Sequence, residues 1–409
     1  MDFQLLEVNN VGLAYIILGG FVVAFSMCSF LMKQKWYINE VVLGTVFGIL
    51  VGPYVADVFD PRSWSTEVNA ITLEVTRVVL ATGLFTIGAE LPKRYMVENI
   101  KALVIMVVPT MALGWVIVAG FIHLLFPRLS FISSLAIAAC LTPTDPIICA
   151  AIVGGRYAID NVPEKLRHLL SAESAANDGM AFPFLTISLF LILDPTPGQA
   201  VSHWILVGCL YQVIMGVIIG AILGLIFSFI MKTSQRRGFI NKESYVAQYL
   251  VFAIFTIGIV STIGSDDLLA AFAAGQSIPL TFHFIVKLTL VIGCTISYDG
   301  EFNLHTKGDV FPTVVDFILN CGCFVYIGAW LPFASFDMPS LGITPWRLII
   351  LLITIIAFRR IPALLILYKW IPGIDTWGEA LFSGHYGPMG VGAVFISSLA
   401  MHMLQNPSS

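Results

Sequence analysis

The sequence predicts an all-α membrane protein that crosses the bilayer many times. Hydrophobic residues occupy 58% of its 409 positions and charged residues only 11%. Soluble globular proteins carry about 25% charged residues, so this composition argues against a large soluble enzyme. Long apolar runs follow one another from end to end, and a helix needs about 20 such residues to cross a bilayer. We therefore expect one polytopic transmembrane domain over residues 1–409.

Short polar links divide this apolar sequence into about twelve predicted spans. The first contains no charged residue, is too long for the apolar part of a signal peptide and lacks a clear cleavage site, so we interpret it as a membrane helix. A further apolar run, 282–298, is ambiguous. The predicted spans are 11–32, 38–56, 70–90, 102–126, 131–153, 166–193, 201–231, 246–264, 267–281, 311–335, 346–370 and 379–403.

Lysine and arginine are distributed unevenly between the links. Cytoplasmic loops carry an excess of both residues. The links after the second, fourth and sixth spans hold only Arg62 and Arg128, whereas the links after the first, third, fifth and seventh spans hold many more basic residues. We therefore expect the second set of links to face the cytoplasm, which places the N-terminus outside. The basic residues of that second set are Lys33, Lys35, Lys93, Arg94, Lys101, Arg156, Lys165, Arg167, Lys232, Arg236, Arg237 and Lys242.

Charge and cysteine usage limit the partners. A net charge of −4 argues against nucleic-acid binding. The seven cysteines are scattered without a CxxC pair, and Cys321 with Cys323 alone does not make a metal site. We expect no cofactor and no nucleic-acid partner.

The fifth span contains features that break a helix. Pro143 and Pro146 each lack an N–H and clash with the preceding turn. Membranes tolerate a broken helix only around a protein-lined or wet cavity, and transporters build ion sites at such breaks. Thr142, Thr144 and Asp145 would add oxygen ligands there. The alternative is a simple proline kink with a hydrogen-bonded aspartate.

The sixth span carries a second group of polar residues. Glu173 and Asn177 are four positions apart and share one helix face, and Asp178 follows Asn177. Burial disfavours the charged form of a carboxylate, so Asp178 could exchange protons near neutral pH. It could also bind a hard cation through oxygen, in competition with the proton. The alternative is a structural ion pair.

A buried Glu173 needs a positive partner, and the eleventh span supplies Arg359 and Arg360. A buried charge is expected to be paired, so we predict a Glu173–Arg360 pair that braces the two halves. Alternatively, both arginines lie at a helix end and extend to the membrane interface.

Two adjacent carboxylates, Asp266 and Asp267, separate the eighth and ninth spans. They indicate either a cation-attracting vestibule on the outer side or a solvated turn that caps a helix.

The twelfth span begins with four glycines and a proline within 384–392, which predicts a second broken helix. Two interrupted spans in corresponding positions are typical of an inverted-repeat transporter. A histidine titrates near neutral pH, so His385 could respond to pH, although a lone histidine is more often a structural hydrogen-bonding group.

At these residues the chain resembles the fungal plasma-membrane Na⁺/H⁺ antiporters of the cation–proton antiporter superfamily. The resemblance covers nearly the whole chain. The stretches that carry it are 144–146 (Thr-Asp-Pro), 172–179 (Ala-Glu-Ser-Ala-Ala-Asn-Asp-Gly), 266–267, 358–362 and 384–388.

The resemblance implies a homodimer of about thirteen-helix protomers in which two broken helices cross beside the site. It implies exchange of Na⁺, Li⁺ and often K⁺ for H⁺ across the plasma membrane, with salt tolerance and pH and cation homeostasis as the result. It marks Asp145, Asp178, Asp266, Asp267 and His385 as functional positions.

We accordingly expect Asp178 to carry the cation or the proton in turn, with Asn177, Asp145 and Thr144 as the other ion- or proton-binding residues. The residues expected to support or regulate this site are Glu173, Arg360, Asp266, Asp267, His385, Thr142 and Pro146.

Two features depart from the family pattern. The family has a further helix and usually a long cytoplasmic tail beyond the point that corresponds to Ser409, so we expect both to be missing from this sequence. Residues 276–293 intervene where the family passes almost directly into a polar loop, so we interpret them as a candidate insertion.

Three other functions remain open. An intramembrane aspartyl protease would also use two membrane aspartates, but the sequence lacks a Gly-x-Gly-Asp motif. The others are a transporter of another solute with the same architecture and a truncated homologue that does not transport.

Overall fold

The computed structural model describes residues 9–36, 38–92, 95–276, 311–387 and 389–405. Within this part the regular elements are helices, accompanied by one isolated bridge between Met338 and Ile343. Six helical segments among these residues are long and apolar enough to cross a membrane, and shorter apolar helices accompany them. The all-α polytopic fold predicted from composition is therefore confirmed.

The helices follow the predicted spans closely. Those of the first half are α1 (Asn10–Lys35), α2 (Glu40–Val51), α3 (Val68–Glu90), α4 (Ile100–Val107), α5 (Pro109–Leu125), α6 (Phe131–Cys140), α7 (Pro146–Val153) and α8 (Glu164–Leu193). Those of the second half are α9 (Pro197–Arg236), α10 (Lys242–Ile263), α11 (267–276), α12 (Phe311–Trp330), α13 (Pro345–Phe358), α14 (Ile361–Leu367), α15 (Trp377–His385) and α16 (Val391–Gln405).

Polar residues in the links fix where several helices begin. The side chains of Asn9, Asn39 and Ser130 accept hydrogen bonds from the first turns of α1, α2 and α6. Thr376 and Glu379 form a capping box at the start of α15. Each cap satisfies a backbone N–H that has no partner within its helix.

Helices α1, α2 and α12 form one packed group. Buried apolar residues of α1 and α12, among them Phe21, Phe25 and Val325, make a cluster against which partly buried residues of α2 pack. Gly48 lies against the backbone of α12, where a Cβ atom would overlap the carbonyl of Val325, and Gly328 lies against α2 in the same way. Small residues allow such close backbone approach, which is how membrane helices associate.

The second group is built around α8, a helix of 30 residues. Its buried residues belong to the largest apolar cluster, together with residues of α3, α4, α7, α11 and α16. Gly179 of α8 contacts Leu269 of α11, where a Cβ atom would approach the Leu269 Cβ to 2.7 Å. The middle of α8, which carries Glu173, Asn177 and Asp178, is therefore at the centre of this group.

The structure refines three predicted spans. The fourth is divided at Val108 because Pro109 starts a new helix. The seventh is part of a longer helical run, Pro197–Arg236, which contains a π-helical stretch over Trp204–Met215. The eleventh is divided between Phe358 and Ile361, at the two arginines.

Part of the predicted chain organisation lies outside the described residues. The ninth span is described only as far as Gln276. Apart from that residue, the candidate insertion 276–293 and the ambiguous run 282–298 fall within the gap between 276 and 311. The insertion stays a prediction.

Candidate functional site

The first broken helix is present where the two prolines predicted it. Helix α6 ends at Cys140, and α7 begins at Pro146. The hydroxyl of Thr142 donates to the carbonyl of Ala139 at 2.7 Å, so it satisfies a carbonyl at the interrupted end of α6. Thr142, Thr144 and Asp145 are all buried in this break.

The second broken helix is also present. Helix α15 ends at His385, and α16 begins at Val391. A Cβ atom at Gly390 would overlap the Asp145 carboxylate, and one at Gly392 would lie 2.8 Å from Asp178 Oδ1. The glycines therefore let the second break approach both carboxylates directly.

Asp145 joins the two breaks. Its Oδ1 atom accepts the N–H of Ile148 at 2.9 Å, and its Oδ2 atom accepts the N–H of Val391 at 2.6 Å. Both donors lie in the first turn of a helix, where the N–H groups have no helical partner and a negative charge is favoured. Asp145 is therefore a cap shared by α7 and α16.

A hydrogen-bond network connects the first break to α8. Asn177 Oδ1 accepts the N–H of Thr144 at 3.0 Å, and Asn177 Nδ2 donates to Thr144 Oγ1 at 2.7 Å. Ser174 Oγ accepts from Thr144 Oγ1 at 3.0 Å and donates to the Thr144 carbonyl at 3.1 Å. The side-chain amide of Asn177 thus accepts the backbone N–H of Thr144, which has no helical carbonyl to bond in the unwound segment.

Glu173 and Arg360 form a buried, bidentate ion pair. Arg360 Nη1 lies 2.7 Å from Glu173 Oε1, and Nη2 lies 3.1 Å from Oε2. Asn177 Nδ2 also donates to Glu173 Oε1 at 2.9 Å. The alternative in which both arginines extend to the interface is wrong, because Arg359 and Arg360 are each only 6% exposed.

Asp178 differs from the other carboxylates of the site. It is 1% exposed, and neither of its oxygens has a hydrogen-bond partner among the described residues. A buried carboxylate without hydrogen bonds is costly in its charged form and favours a bound proton or cation.

Asp266 and Asp267 are buried, so the prediction of a solvated turn is wrong. Asp266 Oδ1 accepts the N–H of Leu269 at 2.9 Å and caps α11, as the same alternative predicted. Asp267 Oδ2 lies 2.8 Å from Arg77 Nη1 of α3. These residues can stay buried because a backbone N–H and a guanidinium, respectively, replace water.

The remaining predicted residues lie at the edges of the breaks. His385 is the last residue of α15, and its side chain is exposed. Pro146 is the first residue of α7. The next residue after His385, Tyr386, is buried and donates from its hydroxyl to the carbonyl of Cys149 in α7.

Sequence reasoning missed two contributors to the site. Ser174 lies between residues that were singled out, but a single serine carries no signal of its own. The sequence suggested Arg359 as a possible partner for Glu173 or as a residue at the membrane interface, but its guanidinium instead donates to the carbonyls of Leu141, Pro143 and Gly387. Only the tertiary structure brings these carbonyls together.

Two broken helices that cross beside buried carboxylates are typical of the folds of secondary transporters. The family described as sodium/hydrogen exchanger, transmembrane, matches residues 21–407. The chain belongs to this family.

Similar proteins support the same assignment. A probable Na⁺/H⁺ antiporter of Schizosaccharomyces pombe is 41% identical over 99% of this chain, and the Na⁺/H⁺ antiporter of Saccharomyces cerevisiae is 41% identical over 100%. The chain spans only 51% and 39% of the lengths of these two relatives. Another Schizosaccharomyces pombe Na⁺/H⁺ antiporter is 35% identical, with 99% of this chain and 82% of the relative covered.

A solved structure has the same fold. The sodium/proton antiporter MjNhaP1 of Methanocaldococcus jannaschii matches with a TM-score of 0.70 over 97% of this chain and 88% of its own, at 16% sequence identity. The inverted-repeat antiporter fold, predicted from the two broken spans together with the family resemblance, is confirmed.

Proposed function

We propose that this protein exchanges Na⁺ for H⁺ across the membrane and that Asp178 carries the two ions alternately. The observation that carries the proposal is the buried Asp178 carboxylate, whose oxygens have no hydrogen-bond partner among the described residues. The names of the fungal relatives support the same pair of ions.

Competition at one carboxylate explains exchange. Hard cations bind oxygen ligands, and a desolvated carboxylate also favours a proton. If Asp178 holds one ion at a time, a cation must displace the proton and a proton must displace the cation. Alternating access of the site to the two sides then converts this competition into exchange.

The other site residues have separate roles in this proposal. Asn177 and Thr144 hold the unwound backbone next to Asp178, and Thr144 adds a hydroxyl oxygen. Asp145 fixes the two breaks to each other. The Glu173–Arg360 pair braces α8 against the α13–α14 break.

The finer assignments are also proposals. We infer that Li⁺ and K⁺ are further substrates, that the protein works as a homodimer in the plasma membrane with its N-terminus outside, and that exchange gives salt tolerance. The basic residues in alternate links support this orientation.

Proton release on addition of Na⁺ tests the exchange. Purified protein is reconstituted into vesicles with an acidic interior at fixed membrane potential, and a pH-sensitive dye follows the interior. Na⁺ outside should raise the interior pH with wild-type protein. Asp178→Asn should abolish this response.

The stability of the same variant separates an ion site from a folding role. Because Asp178 makes no hydrogen bond within the described residues, Asp178→Asn should not lower the unfolding temperature. Asp160→Asn, at an exposed position, is the matched control and should keep both exchange and stability. Persistent exchange in Asp178→Asn would refute the role of this carboxylate.

A further inference from the structure

We propose that Arg359 is a positioning residue that holds the two broken helices in register and thereby sets the cation affinity of Asp178. The proposal rests on the exchange function proposed above. Among the described residues, Arg359 makes no hydrogen bond to Asp178, so any effect on Asp178 must be indirect.

The guanidinium of Arg359 binds both breaks at once. Its Nη1 atom donates to the carbonyl of Leu141 at 2.7 Å and to that of Pro143 at 3.1 Å, both in the first break. Its Nη2 atom donates to the carbonyl of Gly387 in the second break. One buried side chain therefore satisfies three carbonyls that lie beyond the ends of α6 and α15.

Arg359 and Asp145 occupy complementary positions at the crossing. Carbonyl groups at a helix C-terminus carry partial negative charge, and N–H groups at an N-terminus carry partial positive charge. Arg359 binds carbonyls that follow the C-terminal ends of α6 and α15, whereas Asp145 accepts from N–H groups that open α7 and α16. The two side chains together hold the unwound segments from opposite ends.

The backbone of Arg359 is itself held in place. The helix is interrupted between α13 and α14 at this residue. On one side, Gly114 of α5 packs so closely that a Cβ atom would overlap the Arg359 carbonyl. On the other, Arg360 is anchored by its ion pair with Glu173. The position of the guanidinium is therefore fixed, and it holds the carbonyls of both breaks in a fixed place.

This position matters for Asp178 because the second break also lies against that carboxylate. Gly392 follows Gly387 by five positions, and a Cβ atom there would approach Asp178 Oδ1 to 2.8 Å. A shift of the second break would therefore change the space around the Asp178 oxygens. Loss of Arg359 should weaken cation binding while the carboxylate itself is unchanged.

Lysine should replace Arg359 only in part. A guanidinium is planar with five N–H donors in a fixed fork, whereas the lysine ammonium is a compact group with three. Lysine keeps the positive charge but should not reach the carbonyls of both breaks together. A graded series of arginine, lysine and glutamine therefore tests positioning separately from charge.

The test measures Na⁺-driven proton release in vesicles for wild type, Arg359→Lys and Arg359→Gln, normalised to folded protein. We expect the Na⁺ concentration for half-maximal exchange to rise about tenfold in Arg359→Gln and by a smaller factor in Arg359→Lys. Stabilisation of purified protein against heat by Na⁺ gives a readout independent of transport, and it should need correspondingly more Na⁺.

Arg347→Gln is the matched control. Arg347 lies on α13 and also donates to a backbone carbonyl, but that carbonyl belongs to Gly342, which lies outside both breaks. Its half-saturation should equal that of wild type. A merely structural role of Arg359 would reduce the folded fraction and leave the half-saturation of that fraction unchanged.

The outcomes distinguish the two proposals. Wild-type protein without Na⁺-driven proton release would refute the exchange function itself. Active wild type together with an unchanged half-saturation in Arg359→Gln would overturn the positioning role. If Arg359→Gln does not fold, Arg359→Lys decides, because wild-type half-saturation in folded Arg359→Lys would also overturn it.

Discussion

Asp145 accepts a hydrogen bond from the backbone N–H of Val391, 246 positions further along the chain. The same carboxylate accepts the N–H of Ile148 at the start of its own helix. A single side chain thus accepts hydrogen bonds from the N-terminal ends of two broken helices.

Asp145→Asn should destabilise the protein although it is nearly isosteric. A carboxylate can accept from both N–H groups, whereas the amide of asparagine has one acceptor oxygen and an NH₂ donor. One of the N–H groups of Ile148 and Val391 would then face a donor, at a cost of about 1–3 kcal/mol. Thermal unfolding of purified protein measures the loss.

The contrast with Asp178→Asn makes this prediction specific. The two aspartates are equally buried, but only Asp145 caps helices through its oxygens. Asp145→Asn should therefore lower the unfolding temperature and Asp178→Asn should not. Equal unfolding temperatures for the two variants would contradict the shared cap.

Gly392→Ala should impair cation binding at Asp178. The added methyl group would lie 2.8 Å from Asp178 Oδ1, closer than carbon and oxygen normally approach, so the oxygen must shift. We expect a rise of roughly tenfold or more in the Na⁺ concentration for half-maximal exchange. Proton release in vesicles, titrated with Na⁺, measures it.

Gly120→Ala is the matched control for the alanine substitution. Gly120 also lies within a helix, but an added Cβ atom would meet nothing within 4 Å. Alanine favours the helix over glycine by about 1 kcal/mol, so stability should stay equal or rise. An unchanged half-saturation in Gly392→Ala would mean that the second break is not close to the working ion site.

Much of this site could be predicted from local sequence. The prolines at 143 and 146 and the glycines of 384–392 predicted both breaks, because their effect on a helix is local. The Glu173–Arg360 pair followed from the need of a buried charge for a partner. These inferences needed no knowledge of which helices are neighbours.

The contacts between distant segments could not be predicted in this way. That Asp145 meets Val391 and that Arg359 meets Gly387 depends on how α6, α13 and α16 cross. The burial of Asp266 and Asp267 was missed for the same reason, since Arg77 comes from α3. Sequence gives the charges of these residues, but tertiary packing selects their partners.

Breaking the Glu173–Arg360 pair from one side should cost more than removing it entirely. Glu173→Gln leaves a buried guanidinium without a carboxylate, which costs about 3–5 kcal/mol. In Glu173→Gln combined with Arg360→Gln no charge remains unpaired, so the double variant should be more stable than Glu173→Gln alone. Thermal unfolding of the variants forms a double-mutant cycle.

Additive effects would contradict this expectation. If the two substitutions acted independently, the double variant would lose as much unfolding free energy as the two single variants together. Glu173 and Arg360 would then not be energetically coupled. The rate of Na⁺-driven proton release should fall in all three variants. Asn177 donates to Glu173, and the amide of Asn177 also holds the backbone of the first break.

Asp266 and Asp267 should respond differently to the same change. Asp266 caps α11 through one oxygen, and asparagine retains that acceptor, so Asp266→Asn should change stability by less than about 1 kcal/mol. Asp267→Asn removes the carboxylate from a pair in which the side chains of Asp267 and Arg77 are only 9% and 16% exposed. It should cost about 2–3 kcal/mol, since Glu74, at 3.5 Å, is then the carboxylate that remains near Arg77 among the described residues. The unfolding temperatures of the two variants, measured in parallel, give the difference. If Asp266→Asn lowers the unfolding temperature more than Asp267→Asn does, Asp267 is not the structural partner of Arg77.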